Sequence, residues 1–400
     1  MAKFLTLDEI EPKGKIVLLR ADLNLPVKDG KVTDATRLER LTPTIRELAK
    51  RGARVVVISH FGRPEGQHVA KLSLAPIVRP LAKALGRKVV FAPDCIGPKA
   101  VAMVAKLRDG EVMLLENLRF HKGEESNNRA FAKQLAALGD LYVNDAFSAA
   151  HRAHASTEGV AHLLPSYAGR LMEAELKALE KALDHPQRPV AALVGGAKVS
   201  TKLAMLHFLV AKVEILIIGG AMANTLLMAE GRRVGKSLVE RDLLDSARKL
   251  RREAERAGCE LVLPIDAVVA KKLKRGVASK TVAIDDVPED SMILDIGPAS
   301  VALIAEKLAS CRTLVWNGPL GAFEIKPFDR GTIAIARQVA ALTRNERLLS
   351  VAGGGDTVAA LAVAGVAGEL TYVSAAGGAF LEWLEGRVLP GVKALQRKKR

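Results

Sequence analysis

Short continuous apolar runs alternate along this chain with amphipathic stretches of helical spacing. KIVLLR (15–20) and RVVVIS (54–59) are the first two runs, and TDATRLERLTPTIRELAKRG between them reads as a helix closed by Gly52. A turn is expected at Lys28-Asp29-Gly30. KVVFAPD, EVMLLENLRF and LYVNDAF follow as strands, with helices over 74–85 and around 131–138. The charged amphipathic segment LMEAELKALEKAL (171–183), ending in DHPQRP, is the candidate interdomain connector. In PVAALVGGAKVSTKLAM (189–205) a buried strand breaks at Gly195-Gly196, and Leu203, Leu206 and Leu209 then take helical spacing. Strand followed by paired glycines recurs in EILIIGGAMA, LLSVAGGGDT and TYVSAAGGAF. ELVLPIDAVVA, SMILDIGP and TLVWNGPLGAFE read as further strands running into Gly/Pro-rich loops, and 358–370 reads as a long helix. Strands alternating with helices predict an α/β fold built on parallel sheets.

In such sheets ligands collect at the carboxyl ends of strands. Asp22, Asn24, Arg37, His60, Arg63, Arg119 and Arg152 fall in or near loops at those ends and are candidates for one face. Guanidiniums converging there would repel one another unless an anion neutralised them, and their forked donors match phosphate or carboxylate oxygens. His60 suits a phosphate hydrogen-bond partner or a packing role better than a general base. His151 and His154 have no third ligand nearby in sequence, so zinc is not expected at them.

Lys198 and Lys202 flank the start of the helix after Gly195-Gly196, the second in its expected first turn. Positive charge there opposes the helix dipole, which points to a bound phosphate; two solvated lysines on a tight turn are the alternative. Asp356 follows three glycines and opens the expected 358–370 helix, so it is a magnesium candidate or an ordinary N-cap. Glu324 suits a ribose hydroxyl or a turn cap. GRRVGKS (231–237) imitates a phosphate-binding Walker loop, but its glycines are one residue too close and no strand precedes it.

Four hundred residues favour two domains. Lys and Arg number 60 against 44 Asp and Glu, a formal charge of +16, which fits anionic partners. Aromatics are only 4%, and the basic residues are dispersed apart from the tail 397–400, so specific nucleic-acid binding is not expected. No apolar run reaches membrane-spanning length and the N-terminus lacks a signal-type apolar core, so a cytoplasmic protein without membrane partners is expected. Cys95, Cys259 and Cys311 are scattered without metal-ligand spacing and read as reduced thiols.

The ordered set RADLNLP, HFGRP, ENLRF, NDAFSAAHRAHAST, VGGAKVSTK, IGGAMA, DIGP, WNGPLGAFE and GGGDT resembles the phosphoglycerate kinase family over essentially the whole chain. The resemblance implies an α/β fold of two Rossmann-like, doubly wound parallel-sheet domains joined by a hinge helix. It implies residues 1–169 for 3-phosphoglycerate, 170–186 as connector, 187–376 for the Mg-nucleotide, and 377–400 returning to the first domain. It also implies a monomer that transfers a phosphoryl group reversibly between ATP and 3-phosphoglycerate, forming 1,3-bisphosphoglycerate and ADP, with Mg2+ as cofactor. Asp22, Asn24, Arg37, His60, Arg63, Arg119 and Arg152 would hold the phosphoglycerate. Arg37, Lys198 and Lys202 would be catalytic. Gly196, Ala197, Lys202, Gly219, Gly297, Asn317, Pro319, Glu324, Gly354, Gly355, Asp356 and Thr357 would meet the nucleotide, with Asp356 at the metal. The chain departs from the family at Ser374-Ala375-Ala376-Gly377-Gly378-Ala379, where STGGGA is common, and at Phe61, where leucine is usual. The first departure bears on amide geometry near the transferred phosphate, the second on little. The rival readings are a non-catalytic anion or nucleic-acid binder on the same scaffold, and a kinase for another small carboxylate.

Overall fold

The structure is a computed structural model describing residues 4–28 and 31–396; Asp29-Gly30 and the basic run 397–400 lie outside the described residues. The chain divides into two compact units, Met1–Lys177 with Val388–Arg400, and Ala178–Arg387.

The first unit holds β1 (Ile16–Arg20), a two-stranded ribbon of β2 (Val27–Lys28) and β3 (Lys31–Val32), β4 (Arg54–Ile58), β5 (Val89–Ala92), β6 (Val112–Leu115), β7 (Leu141–Asn144) and β8 (Ser166–Ala168). Its sheet is all parallel in the order β5-β6-β4-β1-β7-β8. Burial explains the unbroken apolar runs: strands covered on both faces have no polar side to alternate with. The expected strand over EVMLLENLRF ends at Leu115, because Asn117 accepts from Arg119 N and starts the 3-10 turn Leu118–Phe120. Arg119 therefore sits in a tight turn, not on a strand. The helix expected from 74 begins as the 3-10 turn Ala75–Ile77 and becomes α-helical over Val78–Leu85.

The second unit holds β9 (Val190–Val194), β10 (Ile215–Ile218), β11 (Glu260–Val262), β12 (Asp266–Ala270), β13 (Ser279–Ala283), β14 (Met292–Ile296), β15 (Thr313–Asn317), β16 (Leu349–Gly353) and β17 (Tyr372–Ser374). Six form a parallel sheet in the order β11-β10-β9-β15-β16-β17, packed by Leu193, Ile217, Leu314 and Trp316. The run ELVLPIDAVVA is two strands rather than one. Pro264 has no N–H to continue a ladder, so β11 ends at Val262 and β12 turns into an antiparallel sheet with β13 and β14. SMILDIGP supplies β14 of that small sheet.

Three expected boundaries shift. The connector helix is Arg170–Leu179, extended by a π-turn over Glu180–Asp184, and the unit boundary falls inside it after Lys177. Buried Asp145, on the loop after β7, caps it by accepting from Leu171 N (2.9 Å) and Met172 N (3.0 Å). The helix Gly377–Leu384 packs on Leu203–Val210 within the second unit, so the segment counted with the first unit begins at Val388, not 377. The helix expected over 358–370 runs Gly355–Ala364 and is stopped by Gly365 in the left-handed region at φ 75°. No helix among the described residues is long and apolar enough to cross a membrane.

Candidate functional site

At the strand ends of the first unit, Arg37 donates from the first turn of the helix Thr36–Lys50 to Asp22 Oδ2 (3.1 Å) and Asn24 O (2.9 Å). Asp22 Oδ2 also accepts from Ser148 Oγ (2.5 Å), and Asn24 Oδ1 accepts from Gly62 N (3.0 Å). Arg119 closes the same loop, donating to Gly62 O (2.8 Å) and pairing with Glu125 (3.2 Å). Asp22, Asn24, Arg37 and Arg119 are thus linked directly or through Gly62. Arg152 joins through the charge it exerts on His60 and Arg119. Arg63 is exposed in the loop after β4.

Burial and the charges of Arg20, Arg119 and Arg152 push the His60 pKa well below its usual value. Arg20 Nη2 lies 3.0 Å from His60 Nδ1. Guanidinium only donates, so Nδ1 accepts and the ring proton sits on Nε2. Neutral His60 is thereby a hydrogen-bond donor with a fixed tautomer. Arg20 itself, 1% exposed, was not among the expected residues, although one cation ending an otherwise aliphatic strand is a visible signal. Its Nε donates to Ser156 Oγ (2.8 Å), and Ser156 donates in turn to fully buried Glu124 (2.6 Å).

In the second unit, three glycine turns meet backbone to backbone. Gly195 N donates to Asn317 O and Gly220 N to Leu320 O, both 2.9 Å, and Met222 N donates to Gly196 O (3.0 Å). A Cβ on Gly195 would stand 1.9 Å from Pro319 O, which explains why glycine occupies this position. Beside these turns opens a cavity of about 530 Å³. Gly196, Ala197, Pro319, Glu324 and Asp356 line it, as do Leu227, Leu238, Ile284 and Leu320, which sequence spacing did not single out. Lys236 of the rejected Walker-like segment also lines it; that segment follows the helix Ala221–Ala229 rather than a strand.

Other expected nucleotide residues are not among those lining the cavity but bond to or abut its turns. Asn317 Nδ2 donates to Gly353 O (2.7 Å), and Thr357 Oγ1 accepts from Gly318 N (2.7 Å). Gly354 abuts Asn317, Gly219 abuts Leu320, and Gly297 abuts the Asp266 carboxylate. Gly355 opens the helix that carries Asp356. Lys198 is exposed, whereas Lys202 is the N-cap of Leu203–Val210 and so precedes the helix instead of lying in its first turn. Its ammonium donates to Gly195 O (2.5 Å), Asn317 Oδ1 (2.7 Å) and Asn317 O (3.3 Å). Burial brings it down to about 8, against the opposing pull of the Asp356 carboxylate.

Two open parallel α/β units, one with clustered cations at its strand ends and one with a glycine-turn cavity bearing a lysine and a carboxylate, are the build of a two-domain kinase. The phosphoglycerate kinase family model matches residues 7–387, and this chain belongs to that family. A phosphoglycerate kinase of Rhodospirillum centenum is 61% identical over 392 residues, covering 98% of this chain and 99% of its own. One of Methylobacterium radiotolerans is 60% identical over 399 residues, covering both chains fully. The solved phosphoglycerate kinase of Coxiella burnetii superposes with a TM-score of 0.92 at 43% identity, covering 98% of this chain and 99% of that one. That of Pyrococcus horikoshii gives 0.81 at 31% identity, with 98% of each chain covered.

Proposed function

We infer that this chain catalyses reversible transfer of the γ-phosphoryl group of ATP to the carboxylate of 3-phosphoglycerate, giving ADP and 1,3-bisphosphoglycerate. The observation that carries this is the gathering of Arg37, Arg119 and Arg152 with His60 at the strand ends of one unit, in a chain that also has the glycine-turn cavity in the other. The cations suit a polyanionic acceptor and the cavity suits a nucleotide.

A carboxylate is ionised at neutral pH, so its attack on phosphorus needs no general base. Neutral His60, its Nδ1 engaged by Arg20, accordingly serves as a donor to the bound acid. Arg37, Lys198 and Lys202 are the groups proposed to meet charge spreading over the moving phosphoryl oxygens, so catalysis is positioning plus electrostatics. For Lys202 this requires exchanging a carbonyl partner for phosphate, an exchange favoured because phosphate oxygens carry full negative charge.

The donor set at Asp356 fits Mg2+: an exposed carboxylate on the wall of the cavity that Glu324 also lines matches an ion that takes one or two carboxylates and completes its shell with water and substrate phosphates. Bound there, Mg2+ would screen the phosphate charge. We take the enzyme to act as a monomer in the cytoplasm, as the family resemblance implies.

The test is a coupled assay with Mg-ATP and 3-phosphoglycerate. Turnover is expected; turnover only with another small acid would redirect the substrate assignment, and none with any acid would overturn the reading. The similarity findings give no support to a non-catalytic anion or nucleic-acid binder.

A further inference from the structure

Adjacent parallel strands β5 and β6 end side by side, and the loops after them bring together three metal-ligating side chains that the phosphoryl-transfer reading does not use. Asp94 and Cys95 follow β5; His121 follows the turn Leu118–Phe120 after β6. One carboxylate oxygen, the Cys95 sulfur and one imidazole nitrogen all lie within 4.8 Å of one another. His121 Nε2 and Asp94 Oδ1 are 2.8 Å apart. We propose that Asp94, Cys95 and His121 form a Zn2+ site with one open position.

The donor chemistry selects the ion. Sulfur and imidazole nitrogen suit zinc, whereas magnesium and calcium want oxygen alone. Tetrahedral bonds of about 2.0 to 2.3 Å place neighbouring ligand atoms roughly 3.2 to 3.8 Å apart, so small side-chain rotations bring this trio to bonding geometry. Its support is already built. Asp94 Oδ1 accepts from Cys95 N (2.7 Å), fixing the carboxylate against the loop, and the His121 ring lies 5.3 Å from that of Phe131. Asp94 and His121 are partly exposed and give the ion a path, while Cys95 is buried and supplies the inner ligand. The carboxylates of Asp94, Glu124 and Glu116 lie near the thiol, and their negative field favours a dication. Binding replaces S–H by S–Zn with the thiol proton passing to solvent. The imidazole binds as the neutral ring through the nitrogen facing the ion, its proton on the other nitrogen.

The test uses the full chain, reduced and stripped of metal with a chelator, titrated with Zn2+ and in parallel with Co2+. One ion per chain is expected by equilibrium dialysis, and the Co2+ form should show a thiolate-to-metal charge-transfer band. Cys95→Ser should lose the band and the stoichiometric ion. His121→Asn, at a partly exposed position that tolerates exchange, should lose the ion while circular dichroism and basal turnover stay unchanged. No saturable binding to the wild type overturns the site. So does binding that lacks the thiolate band, or that persists in both variants at wild-type stoichiometry.

Discussion

Arg20 ends a strand of aliphatic residues, and a guanidinium so deep needs its charge answered or it destabilises the fold. Ser156 relays it to Glu124, whose carboxyl is raised by its own burial and lowered by Arg20. The outer arginines Arg37 and Arg119 pair instead with Asp22 and Glu125. Arg37 is the most informative of these, being partly exposed and hydrogen-bonded to Asp22 and Asn24. Arg37→Ala should lower turnover about a hundred- to thousandfold, the effect of deleting one stabilising charge, with an unchanged unfolding midpoint; near-normal turnover would refute its role. Lys202 gives a prediction in pH. Its folded-state value, about 8, lies below the usual 10.5 because burial disfavours the cation. The free enzyme therefore loses this charge as pH rises through about 8, and kcat/KM for Mg-ATP should fall there, since that parameter follows the free enzyme. Arginine at 202 stays charged throughout, so Lys202→Arg should shift the alkaline limb upward; a limb that stays put has another source.

At the scale of elements, the glycine turns carry the most consequence. Gly195→Ala forces a Cβ into Pro319 O, backbone that cannot swing aside. We expect about 1 to 3 kcal/mol of lost stability together with weakened nucleotide binding, read by denaturant unfolding and calorimetric titration. A variant with wild-type values for both would show that the turn has slack. These turns, and strands such as β9 and β15, were legible because a buried run followed by glycines has few alternative readings. The antiparallel sheet of β12, β13 and β14 was not. Its polar, exposed β13 has no apolar signature, and Pro264 splits a run that otherwise looks continuous. Where side chains would meet was legible only in part. Arg37 and Asp22 meet as their loops suggest, yet Lys202 turns inward because only the folded turn offers it Gly195 O and Asn317. Asp94 and His121 are far apart in sequence, and their meeting depends on β5 pairing with β6, which residue spacing does not reveal.

At the scale of the whole molecule, the proposed function carries a prediction about motion. The cation cluster belongs to one unit and the glycine-turn cavity to the other; if they hold the two substrates as proposed, we predict that the units close together during transfer, which would also exclude competing water. Small-angle scattering should therefore show a smaller radius of gyration with both substrates bound than with either alone. Identical radii in every liganded state would rule out closure as a step.

Gly391 N donates to Ala150 O at 2.9 Å, and Gln396 bridges Phe4, so the earliest part of the chain is joined by a segment more than two hundred residues later. On a ribosome, the unit that emerges first waits for the residues from Val388 onward to gain this piece. The half inserted within it, contiguous from Ala178 to Arg387, is fully synthesised before that moment. The order of birth and the order of completion are reversed.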